Sequence, residues 1–476
     1  GGFGPPPKFP MPHDLLFLLR FARLGGDGQE MALHTLDAMY QGGLFDHVGG
    51  GFARYATDAR WLVPHFEKML YDNALLALAY TEAFQHTRRP LYGEVARRTL
   101  DYLLRELAGP EGGFCCGQDA DSGGVEGLYY TLEPQELVQV LGERDAERFC
   151  QWYGITPAGN FEGKSIPNLL GQSRPDQEPE GMAALRERVY AYRRGRMALH
   201  RDDKALTAWN GLALAALARA GTALHQPVYL DAACRTADFL LEKLTGPEGR
   251  LLARWRDGEA AHPGKLDDYA FCAWGLLELY QAVFAPRSLA WAASLAEQLL
   301  ERFFDPINGG FFPYASDGEQ LLTRTKDPYD GAMPSGDAVA ALVLSRLFRL
   351  TGEARWQPPL ERQLAWLAGA VRDQPAGHSF AMLAFLEALW PSAELVVTAR
   401  EIPAELEALL REQSRPALTV LVKTPENAGA LAKVAPFTGD YPIPAQGARY
   451  YLCRQGACAQ PVDSVAALRA LLGERG

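Results

Sequence analysis

The sequence predicts a mainly α-helical protein, a closed (α/α)6 toroid at residues 1–391 followed by a small α/β unit at 392–476. Two observations predict this fold. Apolar stretches with the helical period of 3.6 residues recur along the first region and alternate between two kinds. Gly-rich turns of similar sequence recur between these stretches, and such self-similarity is the signature of repeated helical hairpins.

The first kind of stretch is apolar on nearly every side, which predicts inner helices buried between other helices. The inner stretches are Met31–Tyr40, Ala74–Phe84, Trp209–Ala220, Tyr269–Ala282, Ala338–Leu350 and Phe380–Trp390. The second kind carries Arg and Glu on one face, which predicts outer helices with that face in water. The outer stretches are Asp14–Leu24, Tyr92–Leu107, Tyr229–Leu244, Ser288–Phe304 and Trp356–Val371. This alternation favours a closed toroid over an open solenoid or an irregular α protein.

A Gly-rich turn joins several of these helices. It reads Gly112-Gly113-Phe114, Gly309-Gly310-Phe311 and, more weakly, Gly249-Arg250-Leu251, and Gly42-Gly43-Leu44 resembles it. A polar loop follows each turn and leads into the next inner helix. Outer helix, turn, polar loop and inner helix therefore form one hairpin of the toroid.

A long insertion at about 108–208 interrupts the repeat. It contains Gly-rich loops, a helical stretch at Gln135–Tyr153 and a segment rich in Lys and Arg at Arg186–Arg201. Insertions of this length commonly form a rim or lid over a functional site.

The period changes after Trp390, which marks the C-terminal unit. Short β-rich stretches and helical stretches alternate there and predict an α/β fold. The predicted strands are Leu395–Val397, Leu418–Val422 and Arg449–Cys453, and the predicted helices are Pro403–Glu412 and Val465–Leu472.

The composition predicts a cytoplasmic protein without a nucleic-acid or membrane partner. The formal net charge of −11 repels nucleic acid and anionic lipid surfaces. Seven cysteines, spread thinly, suit reduced thiols better than a disulfide framework. The chain opens at Gly1 without a secretory signal, so we expect its natural start to lie upstream.

Polar residues gather in the loops before the inner helices, which face the central cavity in a toroid. Carboxylates, His, Trp and Tyr together suit a carbohydrate ligand, because sugar hydroxyls need donors and acceptors while aromatic rings cover a sugar face. As catalytic residues we predict His65 and Glu67, with Asp268 and Asp330 opposite. The predicted substrate-binding residues are Asp72, Asp203, Lys204, Trp209, Asn210, Asp267, Tyr269, Lys326, Asp327, Ser335 and His378.

Each of these positions also has a purely structural interpretation. Asp and Ser before a helix commonly cap its free N–H groups, and this applies to Asp72, Asp268, Asp337 and Ser379. The repetition of Lys, paired Asp and an aromatic at several loops favours a site. Two chemistries then stay open: glycoside hydrolysis by paired carboxylates, or epimerisation by a base and an acid such as His65 and His378.

No motif indicates a cofactor or a metal. Gly49-Gly50-Gly51 does not lie between a strand and a helix, so it predicts no phosphate loop. Cys115-Cys116 lacks the spacing of a zinc or thioredoxin motif. Cys453 and Cys458 alone are too few ligands for a metal site. We therefore expect neither cofactor nor metal.

Several longer motifs resemble one known family. They are Gly-Gly-Phe-Gly-x-x-Pro-Lys-Phe-Pro at Gly1–Pro10, Gly42–Tyr55, Pro-His-Phe-Glu-Lys-Met-Leu-Tyr-Asp-Asn at Pro64–Asn73, Lys265–Phe271, Lys326–Gly336 and the tail at Cys453–Cys458. With these motifs the whole chain resembles the YyaL / spermatogenesis-associated protein 20 family. The resemblance implies a six-hairpin glycosidase-like toroid similar to N-acylglucosamine 2-epimerases, preceded by a thioredoxin-like domain that this chain lacks.

Two functions follow as hypotheses. The first is a carbohydrate-active enzyme, a glycoside hydrolase or a sugar epimerase or isomerase, in carbohydrate metabolism. The second is a non-catalytic module that binds a ligand or partner for a thioredoxin-domain protein. An enzyme needs two titratable groups placed about one bond, with at least one perturbed pKa, whereas a binding module needs only aromatic rings and hydrogen bonds.

Overall fold

The computed structural model describes residues 1–319, 322–412, 418–454 and 456–473. Its helices follow the apolar stretches, and Pro often begins them, as it does α4, α9 and α11. In chain order, the helices of the first region are α1 (Pro12–Arg23), α2 (Gln29–Gln41), α3 (Leu70–Thr87), α4 (Pro90–Tyr102), α5 (Pro134–Leu141), α6 (Glu143–Tyr153), α7 (Met182–Arg196), α8 (Thr207–Ala223), α9 (Pro227–Lys243), α10 (Leu266–Val283), α11 (Pro286–Arg302), α12 (Gly336–Thr351), α13 (Gln357–Asp373) and α14 (Ser379–Leu389).

Six of these helices close into a ring. Helix α1 packs against α3, and the contacts continue through α8, α10, α12 and α14 back to α1. Helices α2, α4, α9, α11 and α13 pack outside this ring, chiefly against α1, α3, α8, α10 and α12 respectively. The fold is thus an (α/α)6 toroid, and inner and outer helices alternate as predicted for the pairs that follow the first.

The first helix pair has the reverse of the predicted arrangement. Helix α1 is inner, although its Arg20 suggested an outer face, and α2 is outer. Arg20 is buried because its guanidinium Nε lies 2.9 Å from Glu82 Oε1 of α3. Met31 at the start of α2 is half-exposed. A charge that finds a buried partner therefore misled the prediction.

A repeated hydrogen-bond motif explains the Gly-rich turns. Asn73 in α3 accepts the Phe52 N–H at 2.7 Å, and Asn210 in α8 accepts the Phe114 N–H at 2.7 Å. Asp337 in α12 accepts the N–H of Phe311 at the same distance. Each Phe follows two Gly residues, so the first turn of this kind is Gly50-Gly51-Phe52, whereas the prediction placed it at Gly42-Gly43-Leu44.

Gly in these turns has a steric cause. Gly309 and Gly310 have φ values of 74° and 81°, in the left-handed region that side chains disfavour. A Cβ on Gly309 would also lie 2.5 Å from the Arg362 carbonyl oxygen of α13. The turn therefore lets the chain pass close beneath the outer helix and reach the inner one.

Replacing Asp337 with Asn is expected to stabilise the protein, and more so at pH 8 than at pH 5. Burial raises the pKa of Asp337 to about 7. The stability that its neutral carboxyl contributes is therefore complete below the ordinary pKa of 3.8 and is lost as the pH rises through about 7. Asn keeps the acceptor oxygen without that ionisation, as Asn73 and Asn210 do. Thermal unfolding at both pH values measures the difference. The reciprocal Asn210→Asp variant should lose stability at pH 8, and equal shifts of Asp337→Asn at both pH values would contradict this explanation.

Short strands tie the insertion to the toroid. Before the C-terminal unit they are β1 (Tyr55–Ala56), β2 (Pro64–His65), β3 (Lys68–Met69), β4 (Gly117–Gln118), β5 (Asp121–Ser122), β6 (Val125–Glu126), β7 (Arg201–Asp202), β8 (Ala205–Leu206), β9 (Leu252–Arg256) and β10 (Glu259–Pro263). Strands β4 and β7 lie near the two ends of the insertion and pair with each other, and β4 also pairs with β3. Arg193 of α7 also reaches Asp46 at 2.6 Å, and Lys68 reaches the same carboxylate at 2.8 Å.

The C-terminal unit is a four-stranded sheet with helices. Its elements are β11 (Ala393–Ala399), α15 (Ala404–Glu412), β12 (Leu418–Lys423), α16 (Ala428–Val434), β13 (Ala448–Arg454), β14 (Ala457–Cys458) and α17 (Val465–Leu472). The strand order is β12-β11-β13-β14, with β11 parallel to β12 and antiparallel to β13.

The cysteines divide into two groups. Cys453 and Cys458 form a disulfide between β13 and β14, which the expectation of reduced thiols throughout had missed. Cys115, Cys116 and the remaining three are free. Within the described part of the chain, no helix has the length and apolar content needed to cross a membrane.

Candidate functional site

Two of the predicted catalytic carboxylates connect the N-termini of neighbouring inner helices. Asp268 of α10 accepts the Ala208 N–H of α8 at 2.9 Å and the Lys265 N–H at 2.8 Å. Asp330 accepts the N–H groups of Ser335, before α12, and of Phe380 in α14, each at 2.8 Å. Burial raises the pKa of Asp268 to about 7 and that of Asp330 to about 6. Both oxygens of each carboxyl are thus engaged with backbone, as in helix capping.

The other two predicted catalytic residues lie together. His65 on β2 pairs with Tyr55 on β1, and their rings stack with centroids 5.2 Å apart. The His65 Nδ1 atom lies 2.7 Å from Glu126 Oε1, and its Nε2 atom lies 3.7 Å from Glu67 Oε2. The imidazole is 29% exposed, so it is held on one edge and open to solvent on the other.

Glu67 connects this histidine to the start of α3. Arg54 donates to Glu67 Oε2 at 3.1 Å and also hydrogen-bonds Tyr71. The Tyr71 ring meets Trp209 of α8 edge-on at a centroid distance of 4.8 Å. A chain of contacts therefore runs from His65 Nε2 through Glu67 and Arg54 to the rings of Tyr71 and Trp209.

Asp72 adds a buried carboxyl group near Arg54, Tyr71 and Glu67. It is buried, and its Oδ2 atom has no hydrogen-bond partner among the described residues. Burial raises the pKa of Asp72 well above its ordinary value, against the opposing effects of Arg54 and of the Tyr71 hydroxyl, and the nearby Glu67 raises it further. The neutral carboxyl is favoured and can donate a proton.

The remaining predicted substrate-binding residues are occupied in holding the loops. Asp203 pairs with Arg256 at 2.8 Å, Lys204 with Asp202 at 3.1 Å, and Lys326 with Asp305 at 2.7 Å. The other contacts are Asn210 to Phe114, Asp267 to the Gly336 backbone, Tyr269 to the Leu251 N–H, Asp327 to the Tyr329 N–H, Ser335 to the Ala338 N–H and His378 to the Gln374 carbonyl. The structure thus brings together His65, Glu67, Asp72 and Trp209.

Two residues of this group, Arg54 and Glu126, were missed in the sequence, whereas Tyr71 was among the aromatic residues considered for stacking on a sugar. Arg54 lies within the conspicuous motif at Gly42–Tyr55, which was a usable signal. Glu126 gave none, because the insertion delivers it from β6 to His65 across 61 positions of the chain. We name His65, Glu67, Asp72, Arg54, Tyr71, Trp209 and Glu126 the His65 site.

The opposite end of the inner helices carries a ring of alternating charges. Each inner helix contributes one residue, and each charge lies between two of opposite sign. The pairs are Arg20–Glu82 (2.9 Å), Glu82–Arg219 (3.6 Å), Arg219–Glu278 (3.6 Å), Glu278–Arg346 (2.6 Å), Arg346–Glu387 (3.2 Å) and Glu387–Arg20 (3.9 Å). We name these six residues the ion ring. In the sequence, Glu82, Arg219, Glu278 and Glu387 are each the one charged residue of a predicted inner stretch, whereas Arg346 shares its stretch with Arg349 and Arg20 lies in a predicted outer stretch.

The described residues contain no group of three or more His, Cys, Asp or Glu side chains placed to hold a metal ion.

No family model matches the chain. Spermatogenesis-associated protein 20 of Homo sapiens is 33% identical over 99% of this chain and 67% of its own length. The Mus musculus protein of that name is 34% identical over 99% of this chain and 66% of its own length. The chain thus spans about two thirds of the length of these relatives.

Two solved structures are similar in fold. A cellobiose 2-epimerase from Bacillus thermoamylovorans superposes with a TM-score of 0.48 at 10% identity, over 76% of each chain. A GH76 α-mannanase of Bacteroides thetaiotaomicron gives 0.47 at 13% identity, over 80% of this chain and 85% of its own. The toroid assignment itself follows from the closed ring of helix contacts.

Proposed function

This chain belongs to the spermatogenesis-associated protein 20 family, and we propose that it is a carbohydrate-active enzyme of the sugar epimerase or isomerase type acting at the His65 site. The observation that carries the proposal is the position of His65. Its Nδ1 atom lies 2.7 Å from Glu126 Oε1, while its Nε2 atom faces Glu67 and solvent. A histidine oriented by a carboxylate through one ring nitrogen is poised to accept a proton at the other.

The proposed reaction is proton transfer next to a sugar carbonyl. His65 Nε2 removes the proton from the carbon beside the carbonyl, and the electron pair moves to the carbonyl oxygen. Asp72 and Arg54 are the groups that would donate to this oxygen, because burial raises the pKa of the Asp72 carboxyl well above its ordinary value and the Arg54 guanidinium carries N–H donors. Return of the proton to the opposite face of that carbon, with the carbonyl re-formed, gives an epimer. Delivery of the proton to the former carbonyl carbon, with loss of the proton from the hydroxyl on the neighbouring carbon, gives an isomer. Trp209 and Tyr71 supply an apolar wall for the sugar.

Hydrolysis of a glycosidic bond fits this geometry less well. It needs two carboxyl groups on either side of the bond. The carboxyls that were predicted opposite His65, those of Asp268 and Asp330, use both oxygens to accept backbone N–H groups. A carboxyl committed to two helix N-termini is not available to attack or protonate a sugar. Within the His65 site, Glu126 is paired with His65 and Glu67 with Arg54, so proton transfer by the histidine is favoured. The proposal includes a cytoplasmic location and a thioredoxin-like domain upstream, as composition and resemblance predict.

A sugar screen tests the proposal. The chain is mixed with mono- and disaccharides, amino sugars and sugar phosphates, and thermal unfolding is followed. A ligand present at 100 times its dissociation constant is expected to stabilise the fold by about 2.7 kcal/mol. Ligands that stabilise are then incubated in D₂O, and NMR follows deuterium uptake at the carbon beside the carbonyl.

Three outcomes separate the candidate functions. Deuterium uptake with formation of a second sugar supports the epimerase or isomerase. Release of a new reducing end without uptake contradicts it in favour of hydrolysis. Binding with neither reaction, for every sugar that stabilises, contradicts catalysis and leaves the binding module.

A further inference from the structure

A second polar cavity lies at the other end of the toroid, where the C-terminal unit covers the ion ring. Its volume is about 110 Å³. Arg219 of α8 and Gln85 of α3 line it from the toroid, and Leu418, Thr419 and Val420 of β12 line it from the C-terminal unit. Because helices α3 and α8 begin at the His65 site, this cavity is a helix length away from that site.

Of the two arginines that line this cavity, Arg219 makes fewer hydrogen bonds with the protein. Its guanidinium lies 3.6 Å from both Glu82 and Glu278, beyond hydrogen-bond distance, and no described residue accepts a hydrogen bond from it. Arg346, by contrast, donates to Glu278 at 2.6 Å and to Glu387 at 3.2 Å. Arg219, which lines the cavity, therefore has its charge balanced by two carboxylates, while its N–H donors have no acceptor among the described residues.

Gln85 contributes a hydrogen-bond acceptor that has no donor. This residue is 6% exposed, and its Nε2 atom donates to the Arg411 carbonyl at 3.4 Å. Its Oε1 atom is buried and has no donor among the described residues. A ligand in this cavity must thus offer acceptor oxygens to Arg219 and a hydroxyl to Gln85.

The guanidinium of Arg219 sets the chemistry of the ligand. The charged residues that line the cavity are two arginines, Arg219 and Arg346, and two glutamates, Glu278 and Glu387, so their charges balance. Hydrogen bonds from a guanidinium to an oxyanion are about twice as strong as those between neutral groups. The N–H donors of Arg219 therefore favour a ligand with negatively charged oxygens.

We infer that this cavity binds a small oxyanion that also carries a hydroxyl, such as phosphate or a short hydroxy acid. A water molecule occupies about 30 Å³, so the cavity has room for about three or four groups of that size. The ligand would also lie against the contact between the two units. Gln281 of α10 holds both the carbonyl (2.8 Å) and the N–H (3.1 Å) of Val420 beside the cavity. Occupancy is therefore expected to strengthen the attachment of the C-terminal unit.

Titration of the whole chain with inorganic phosphate, D-glycerate and glycerol tests the inference. Binding is measured by calorimetry and by thermal unfolding. Phosphate or glycerate is expected to bind to the protein and to stabilise it, whereas neutral glycerol is expected to do neither. The tighter binder of the two identifies whether the oxyanion is a phosphate or a carboxylate. Arg219→Gln is expected to weaken binding by about tenfold or more, since it removes a charged hydrogen-bond partner. The control Arg287→Gln removes an exposed guanidinium on α11, paired with Asp238 at 3.1 Å, and is expected to leave binding unchanged.

Gln85→Leu separates the site from general salt effects. It removes a buried acceptor without a partner, so the unliganded protein is expected to keep or gain stability while phosphate binds more weakly. The inference is overturned if none of the oxyanions binds, if glycerol binds as well as they do, or if Arg219→Gln and Arg287→Gln respond to phosphate alike. These results concern a site a helix length from His65, so they are independent of the outcome of the sugar screen.

Discussion

Replacing Glu278 with Leu is expected to lower the free energy of unfolding by about 3–5 kcal/mol, the usual cost of removing one partner from a buried ion pair. Glu278 is 2% exposed and accepts from Arg346 at 2.6 Å and from the Trp274 indole N–H at 2.9 Å. It also balances Arg219 at 3.6 Å. The substitution would leave two guanidinium groups in the closed ring facing each other across an apolar side chain.

The stability of the protein at acidic pH provides a second test of the role of Glu278. Burial alone would raise the pKa of Glu278, but Arg346 and Arg219 lower this pKa to about 2. The stability from its ionised form is therefore present above the ordinary pKa of 4.5 and is lost as the pH falls through about 2. The difference in unfolding free energy between wild type and Glu278→Leu should be largest near pH 6 and should shrink toward pH 3.

Urea unfolding followed by circular dichroism at these pH values measures both effects. The matched control is Glu297→Leu on the outer helix α11, whose carboxylate pairs with Arg355 at 2.6 Å while about half exposed. Exposed pairs contribute about 0.2–1 kcal/mol, so this variant should change little. A loss at Glu278 no larger than at Glu297 would show that the ion ring does not hold the toroid together.

The ion ring also shows why the fold was easier to predict than its details. Period and apolarity depend on neighbours in sequence, so the inner and outer helices could be read from stretches such as Ala74–Phe84 and Tyr92–Leu107. Glu82, Arg219 and Arg346 could be seen as charges within apolar helices, but their partners are on other helices. Whether Arg20 faces solvent or core depends on Glu82, 62 residues away. That dependence is why α1 and α2 were assigned the wrong way round.

The site was predictable to the extent that local sequence determines it. His65 and Glu67 are two residues apart on one extended segment, and their proximity follows from that spacing. Glu126 comes from the insertion, so the pairing that orients the imidazole could not be inferred. Asp268 and Asp330 occur where both capping and catalysis are plausible from sequence. Only the distances to Ala208, Lys265, Ser335 and Phe380 show that their oxygens accept backbone N–H groups.

Replacing His65 with Gln is expected to lower kcat for the sugar identified in the screen by about 10²–10⁴-fold, the range that general acid–base catalysis contributes. Gln keeps a polar side chain on β2 but cannot accept a proton from carbon. Sugar contacts to Trp209, Tyr71 and Arg54 remain, so KM should change much less than kcat. The split between kcat and KM, together with the rate of deuterium uptake, distinguishes loss of a base from loss of binding.

Two further variants place the effect at the imidazole. Glu126→Gln keeps a hydrogen-bonding side chain at Nδ1 but removes its charge, so it should lower kcat less than the loss of His65 does. His200→Gln changes a histidine that is 74% exposed in the insertion and pairs with Asp119 at 3.3 Å, so it should leave kcat unchanged. If deuterium uptake survived in His65→Gln, the base would have to be another group. Among the other residues of the His65 site, Glu67 is the ionised group nearest to Nε2, and a loss of uptake in Glu67→Gln alone would assign the base to that carboxylate.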